Sequence, residues 1–196
     1  MSILDGVSQC WWLSETCQLD WEATSAVATA AGVIVALAAP AISRYRTRRR
    51  ANALFALAFY DLIARAKARL EVIEVHYPLG AGTAVSWAAE GLLMTNAVER
   101  ATFAAMPGAL ADLARVEIDL SRWPVATDLE LAESVALAVH AASRVCDAID
   151  AGGNGTNGSK HWGTYWISYR ADMDFAHKQV ERALRACGRA TEGARQ

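Results

Sequence analysis

Lysine and arginine are absent before Arg44, proline occurs only four times in 196 residues, and the 13 glycines follow no period. A collagenous or low-complexity chain is excluded by so little proline and glycine, and a disordered one by only 20% charged residues against 54% apolar. A net charge of -2 and a pI of about 6.1 leave no excess of basic residues with which to coat nucleic acid, and no DNA partner is expected. The four cysteines show no metal-ligand spacing, and no Gly-x-Ser-x-Gly, His-Glu-x-x-His or paired-cysteine motif occurs. What remains is alanine, about a fifth of the chain, with few strand signals. The composition implies an all-α protein with one packed domain of ordinary size.

From Ala23 to Ser43 there is no charged residue, a run long enough at about 1.5 Å per residue to cross a hydrocarbon core of about 30 Å. Trp21 and Tyr45 flank it, as amphipathic rings do at headgroup level, and Arg44, Arg46, Arg48, Arg49 and Arg50 follow at once. Asp5, Glu15, Asp20 and Glu22 precede it. The positive-inside bias then places the C-terminal side in the cytoplasm and the N-terminus outside, and the expected location is a bacterial inner membrane crossed once, the arginines also attracting anionic lipid. A cleaved signal peptide would begin basic, whereas this chain begins acidic. A buried alanine-rich helix of a soluble protein is the competing reading, since only Val27, Val33, Ile34, Val35, Leu37 and Ile42 are strongly apolar. Ala28, Gly32 and Ala36 recur every four residues, the spacing that lets helix backbones approach closely in lipid, and Ser25 and Thr29 add hydroxyls able to bond across helices. Alanine-rich segments also produce such spacings by chance. Under this topology Cys10 and Cys17 lie where they can pair, with Trp11, Trp12 and Leu13 as an interfacial patch, while Cys146 and Cys187 stay reduced.

Beyond the arginines, Leu54, Phe55, Ala58, Phe59, Leu62, Ile63, Ala66, Leu70, Ile73 and Tyr77 return at helical spacing, up to the breaker Pro78-Leu79-Gly80-Ala81-Gly82. Further helices are predicted over 83–106, stopped by Pro107 and Gly108; over 109–123, carrying Leu110, Leu113, Val116, Leu120 and Trp123 and stopped by Pro124; and from the N-cap Asp128 to Asp150, with a stripe of Ala132, Val135, Val139, Ala142, Cys146 and Ile149. A glycine-rich loop over 151–163 precedes a last helix over 164–187, whose Trp166, Tyr169, Met173, Ala176, Val180, Ala183 and Cys187 form a heptad-like stripe. The expected organisation is a short extracytoplasmic segment over 1–22, a transmembrane helix over 23–43, a cytoplasmic bundle of four to five helices over 44–187 and a flexible tail over 188–196.

Chemistry-bearing residues are few. Gly153, Gly158, Ser159 and Lys160 approach a phosphate-binding P-loop, but the lysine is displaced by one position and a helix, not a strand, precedes the loop. The Asn-x-Ser/Thr matches at Asn154 and Asn157 carry little meaning in a cytoplasmic loop. His140 and His161 lack carboxylate or thiol neighbours at ligand spacing, so neither metal nor cofactor is expected. Arg170 and His177 lie seven residues apart on one face of the last helix, flanking its apolar stripe, as do Arg69 and His76 on the first. A histidine acting as acid or base beside a guanidinium that stabilises phosphorane charge is ribonuclease chemistry; solvated residues balancing charge are the plainer alternative. The Arg170/His177 pairing resembles the Arg-x4-6-His motif of HEPN (higher eukaryote and prokaryote nucleotide-binding) ribonucleases, small helical bundles that dimerise. The order of elements resembles, more loosely, the membrane-anchored accessory proteins of type VI-B CRISPR systems. Those carry one N-terminal span and a HEPN-like bundle and assemble into a ring with a pore. The resemblance implies a self-associating protein that acts on membrane integrity in antiviral defence. A membrane-tethered ribonuclease acting on RNA, or a module docking a protein partner at the membrane, are the alternatives.

Overall fold

The computed structural model describes residues 21–119, 128–154 and 162–193, with side chains from Ser25 onward. These residues form six α-helices and no strand: α1 (Trp21–His76), α2 (Ala84–Thr95), α3 (Ala97–Ala104), α4 (Ala109–Ala114), α5 (Leu129–Gly153) and α6 (Trp162–Gly193). The chain divides into two compact units at Thr47/Arg48.

In the first unit the described part is helical throughout, and among the described residues α1 is the one helix long and apolar enough to cross a membrane by length and composition. None of its apolar window is covered by protein. Val27, Val33, Ile34, Val35, Leu37 and Ile42 are all exposed. Thr29 Oγ1 donates to Ser25 O (2.7 Å) and Thr47 Oγ1 to Ser43 O (2.9 Å), so both hydroxyl protons are used inside the helix. Pro40 lies inside α1 without ending it. It continues the four-residue spacing of Ala28, Gly32 and Ala36, and its missing N–H leaves the Ala36 carbonyl without a helical donor on that same face.

In the second unit, α5 and α6 pack extensively against each other, and Ala138, Ala141 and Ala142 on one and Ala176 and Ala183 on the other are all fully buried. Every member of the heptad-like stripe on α6 is buried. On α5 the buried stripe is broader than expected, with Ala138, Ala141 and Val145 at its centre and Val139 and Cys146 at its edge. Phe55, Ile63, Leu70 and Ile73 supply the contribution of α1 to the core. Leu54 and Ala58 face outward instead. A run of aromatic contacts, Tyr77 to Phe103 (4.9 Å), Phe103 to Tyr169 (5.8 Å) and Trp162 to Trp166 (4.8 Å), fills the end of the bundle near the α1–α2 turn.

Four helix boundaries differ from the sequence-based expectation. The helix expected over 83–106 is two, because Asn96 adopts an extended conformation and caps both: its N–H donates to Leu92 O while its side chain accepts from Val98 N and Glu99 N. Arg100 then reaches back to the Leu93 and Met94 carbonyls that α2 leaves open. The helix expected over 109–123 ends at Ala114, capped by Arg115; Leu120, Trp123 and Pro124 lie outside the described residues. Asp128 does cap α5, accepting from Glu130 N (3.1 Å), but α5 continues through Gly152 and Gly153. These glycines fit because the helix end packs tightly: a Cβ at Gly152 would fall on the Tyr165 hydroxyl, and one at Gly153 on the Ala104 side chain. Finally α6 runs on to Gly193, so residues 188–193, expected as a tail, are its last turns.

Candidate functional site

Arg170 and His177 lie on α6 at the edge of its buried stripe, and a residue of α1 joins them. Glu74 places Oε1 2.8 Å from Arg170 Nη1 and Oε2 3.1 Å from His177 Nε2. The first is a charge-assisted hydrogen bond. The second is a close polar contact without hydrogen-bond geometry. Asp174, one turn beyond Arg170, holds Nη2 at 3.0 Å. The site is half-open to solvent, with side-chain exposures of 33% for Arg170, 36% for Glu74 and 27% for His177. Burial works against the guanidinium's charge, and the carboxylates Glu74 and Asp174 outweigh it and raise the Arg170 pKa.

The guanidinium is engaged at both Nη atoms, whereas His177 Nε2 is buried without a hydrogen-bond partner. One guanidinium faces two carboxylates, so the cluster presents no surplus positive charge to a phosphodiester. An RNA phosphate could take Arg170 only by displacing Glu74 and Asp174. The backbone supports the same geometry: Gly80, at φ +69°, lies where a Cβ would meet Trp166 O and the Arg170 Cβ, pinning the α1–α2 turn against α6. Glu74 is the residue that sequence reasoning missed, since it stands 96 positions from Arg170. Asp174 was missed as well, although its i,i+4 spacing from Arg170 was a signal that could have found it.

The second Arg/His pair has different employment. Arg69 Nε donates to Met106 O and Nη2 approaches Met106 Sδ (3.8 Å), so Arg69 braces the turn before α4, close against Gly108. His76 is exposed and bonds through Nδ1 to Val72 O within its own helix (2.9 Å). No cluster of His, Cys, Asp or Glu able to hold a metal occurs among the described residues, and His140 is exposed. Gly153 of the P-loop-like stretch belongs to the α5 packing contact; Gly158, Ser159, Lys160 and His161 lie outside the described residues, as do Asn157, Cys10, Cys17 and the side chain of Trp21. Cys146 and Cys187 are free thiols, and burial pushes both pKa values up to about 11, which suppresses thiolate chemistry at neutral pH.

Of the proposed anchor residues, Arg44, Tyr45, Arg46, Arg48 and Arg50 are exposed. Arg49 is half-buried, and a Cβ at Gly193 would stand 3.4 Å from its Nη2. It therefore sits over the C-terminal end of α6, where a cation complements the helix dipole. Ala28, Gly32 and Ala36 are uncovered, and a Cβ at Gly32 would meet nothing within 4 Å.

Comparison with family models, characterised proteins and solved structures finds no match to this chain, so the functional reading rests on its own residues.

Proposed function

We propose that the chain is a single-pass membrane protein, spanning over 23–43 with its bundle in the cytoplasm, that self-associates and alters membrane permeability by gathering its spans. The observation that carries this reading is the uncovered apolar surface of α1: six large aliphatic side chains in the uncharged stretch are exposed, whereas the core helix of a soluble protein would bury them. A hydrocarbon surround removes that exposure. Ala28, Gly32 and Ala36 give the span a face on which a second span can pack, and the Ala36 carbonyl freed by Pro40 offers that neighbour an acceptor. A marginally apolar span gains from such company. An apolar helix followed by a helical bundle is also the order of elements on which the resemblance to the CRISPR accessory proteins rests, and antiviral defence is the role that resemblance adds.

The test is reconstitution of the full chain into liposomes loaded with a self-quenched dye. Wild type is expected to resist alkaline extraction and to release dye with a steep dependence on protein-to-lipid ratio, and Gly32→Ile to stay in the membrane while releasing far less. A chain that washes off the vesicles, or that stays in them without leakage at any ratio, ends the proposal.

The ribonuclease alternative keeps one observation in its favour, the convergence of Arg170 and His177 on a single carboxylate. It requires RNA cleavage by wild type that Arg170→Ala/His177→Ala abolishes without changing oligomer mass.

A further inference from the structure

Between Ser25 and Thr47, α1 carries Ser25, Thr29, Ser43 and Thr47 as its serine and threonine side chains, all of them exposed. At about 100° per residue they fall within about 40° of one another around the helix axis. Gly32 and Ala36 lie on the same line. By the same geometry Val27, Val33, Ile34, Val35, Leu37 and Ile42, the large aliphatic residues, each stand at least about 60° from its centre. The stretch is therefore two-sided, with a broad aliphatic arc and a narrow line of hydroxyls and small residues. The Thr29 and Thr47 protons go to Ser25 O and Ser43 O, which leaves acceptor lone pairs on both exposed threonine oxygens.

Charge gives this line a direction. Arg44 and Arg46 stand about 80° to either side of it, just past the uncharged stretch, and both are exposed. No carboxylate among the described residues pairs with either. Arg48, Arg49 and Arg50 follow, and the first acid beyond them is Asp61, whereas Asp20 and Glu22 stand next to the other end of the stretch. Spans of one orientation pressed together along this line would crowd the Arg44 and Arg46 of every copy at one level, like charge against like charge. Opening the line to water keeps the guanidiniums hydrated and lets mobile anions come between them.

We propose that the hydroxyl line faces a water-filled passage between the gathered spans, and that this passage conducts small inorganic anions in preference to cations. The inference deepens the membrane reading above and rests on it. The aliphatic arc then faces lipid, and the hydroxyls give water acceptors along the passage. Gly32 and Ala36 are small enough to leave the hydroxyls uncovered. The arginines form a positive ring at the cytoplasmic mouth, which concentrates anions there and repels cations, as basic rings do in anion pores.

The experiment reconstitutes the full chain in planar bilayers of uncharged phosphatidylcholine under a KCl gradient, the reversal potential giving the chloride-to-potassium permeability ratio. Wild type is expected to favour chloride by a factor on the order of ten. Arg44→Gln/Arg46→Gln is expected to lose most of that preference, with Arg48, Arg49 and Arg50 still holding the orientation. In parallel, Thr29→Cys and, as control, Ile34→Cys in a Cys10→Ser/Cys17→Ser background are exposed to a membrane-impermeant anionic thiosulfonate. Thr29→Cys should react and lose conductance, and Ile34→Cys should keep it. A passage that favours potassium or passes both ions alike overturns the proposal. So does a preference that the double arginine variant retains, or a reagent that spares Thr29→Cys and blocks Ile34→Cys. The membrane reading survives each of these results, whereas a chain that inserts and conducts nothing overturns both. Alkaline extraction checks that the arginine variant stays inserted, and should it wash off, the cysteine pair decides.

Discussion

Glu74→Gln is the substitution that discriminates most between a structural and a catalytic reading of the Arg170/His177 cluster. It keeps the side chain's shape and removes its charge, so the charge-assisted bond to Arg170 at 2.8 Å becomes at best a bond to a neutral amide oxygen, while Asp174 remains at 3.0 Å. A hydrogen bond to a charged group contributes about 1.5–3 kcal/mol when sheltered, and an exposed ion pair about 0.2–1 kcal/mol. With each partner about one-third exposed and a second carboxylate in place, we expect a loss of about 1 kcal/mol. For a unit of this size that corresponds to about 2–4 °C in Tm. The assay is thermal and urea unfolding of the full chain followed by circular dichroism, at low salt and at about 1 M salt, where screening should shrink the difference. A cycle with Arg170→Met should return a coupling close to the single loss. If Glu74 instead restrained a catalytic pair, the variant would gain RNA cleavage by freeing Arg170 and His177. An unchanged Tm at low salt, or cleavage appearing in Glu74→Gln, would refute the structural reading.

Gly152→Ala should destabilise by about 2–3 kcal/mol despite alanine's better helix propensity, because the new methyl would lie 2.7 Å from Tyr165 Cζ and 3.1 Å from Phe103 Cε1 and break the Tyr165-to-Ala148 hydrogen bond; urea midpoints check it, and a neutral result would sink the packing argument. Tyr169→Phe should be neutral or stabilising by up to about 1 kcal/mol, since the Tyr169 hydroxyl is buried without a partner, and a loss above that would reveal one. Cys146 and Cys187 should resist iodoacetamide at pH 8 in the folded chain and react fully in urea, because burial raises both thiols to about 11. A group whose pKa is raised on folding stabilises fully below its unfolded value and loses that contribution as pH climbs to the folded one. With Tyr77 also raised, by burial and by Glu99, to about 12, Tm should hold from pH 7 to about 9 and fall from there to about 12, first through the two thiols and then through Tyr77; a flat profile would contradict the shifts.

Much of the helical pattern is local and so was readable from the chain. The α6 stripe from Trp166 to Cys187 is buried as its spacing implied, Asp128 caps α5, and the Pro78 to Gly82 breaker ends α1. Each depends on interactions within a few residues, which periodicity and capping chemistry encode. The helix ends that were misplaced depend on distant residues. Asn96 could sit mid-helix by propensity, but Arg100 folded back on the α2 carbonyls makes the break the better state. Gly152 and Gly153 read as loop because glycine is a poor helix former; Tyr165 and Ala104 close against them turn the missing side chain into an advantage.

By itself the sequence determined that the chain is helical, where its uncharged apolar stretch lies and which face of α6 faces the core, because composition and periodicity act residue by residue along the chain. Only the tertiary structure decided what Arg69, Arg170 and His177 do. Arg69 braces a turn, and Glu74 draws the other two into one cluster, since a side chain's charge partner is set by which helix packs beside it and not by its neighbours in sequence.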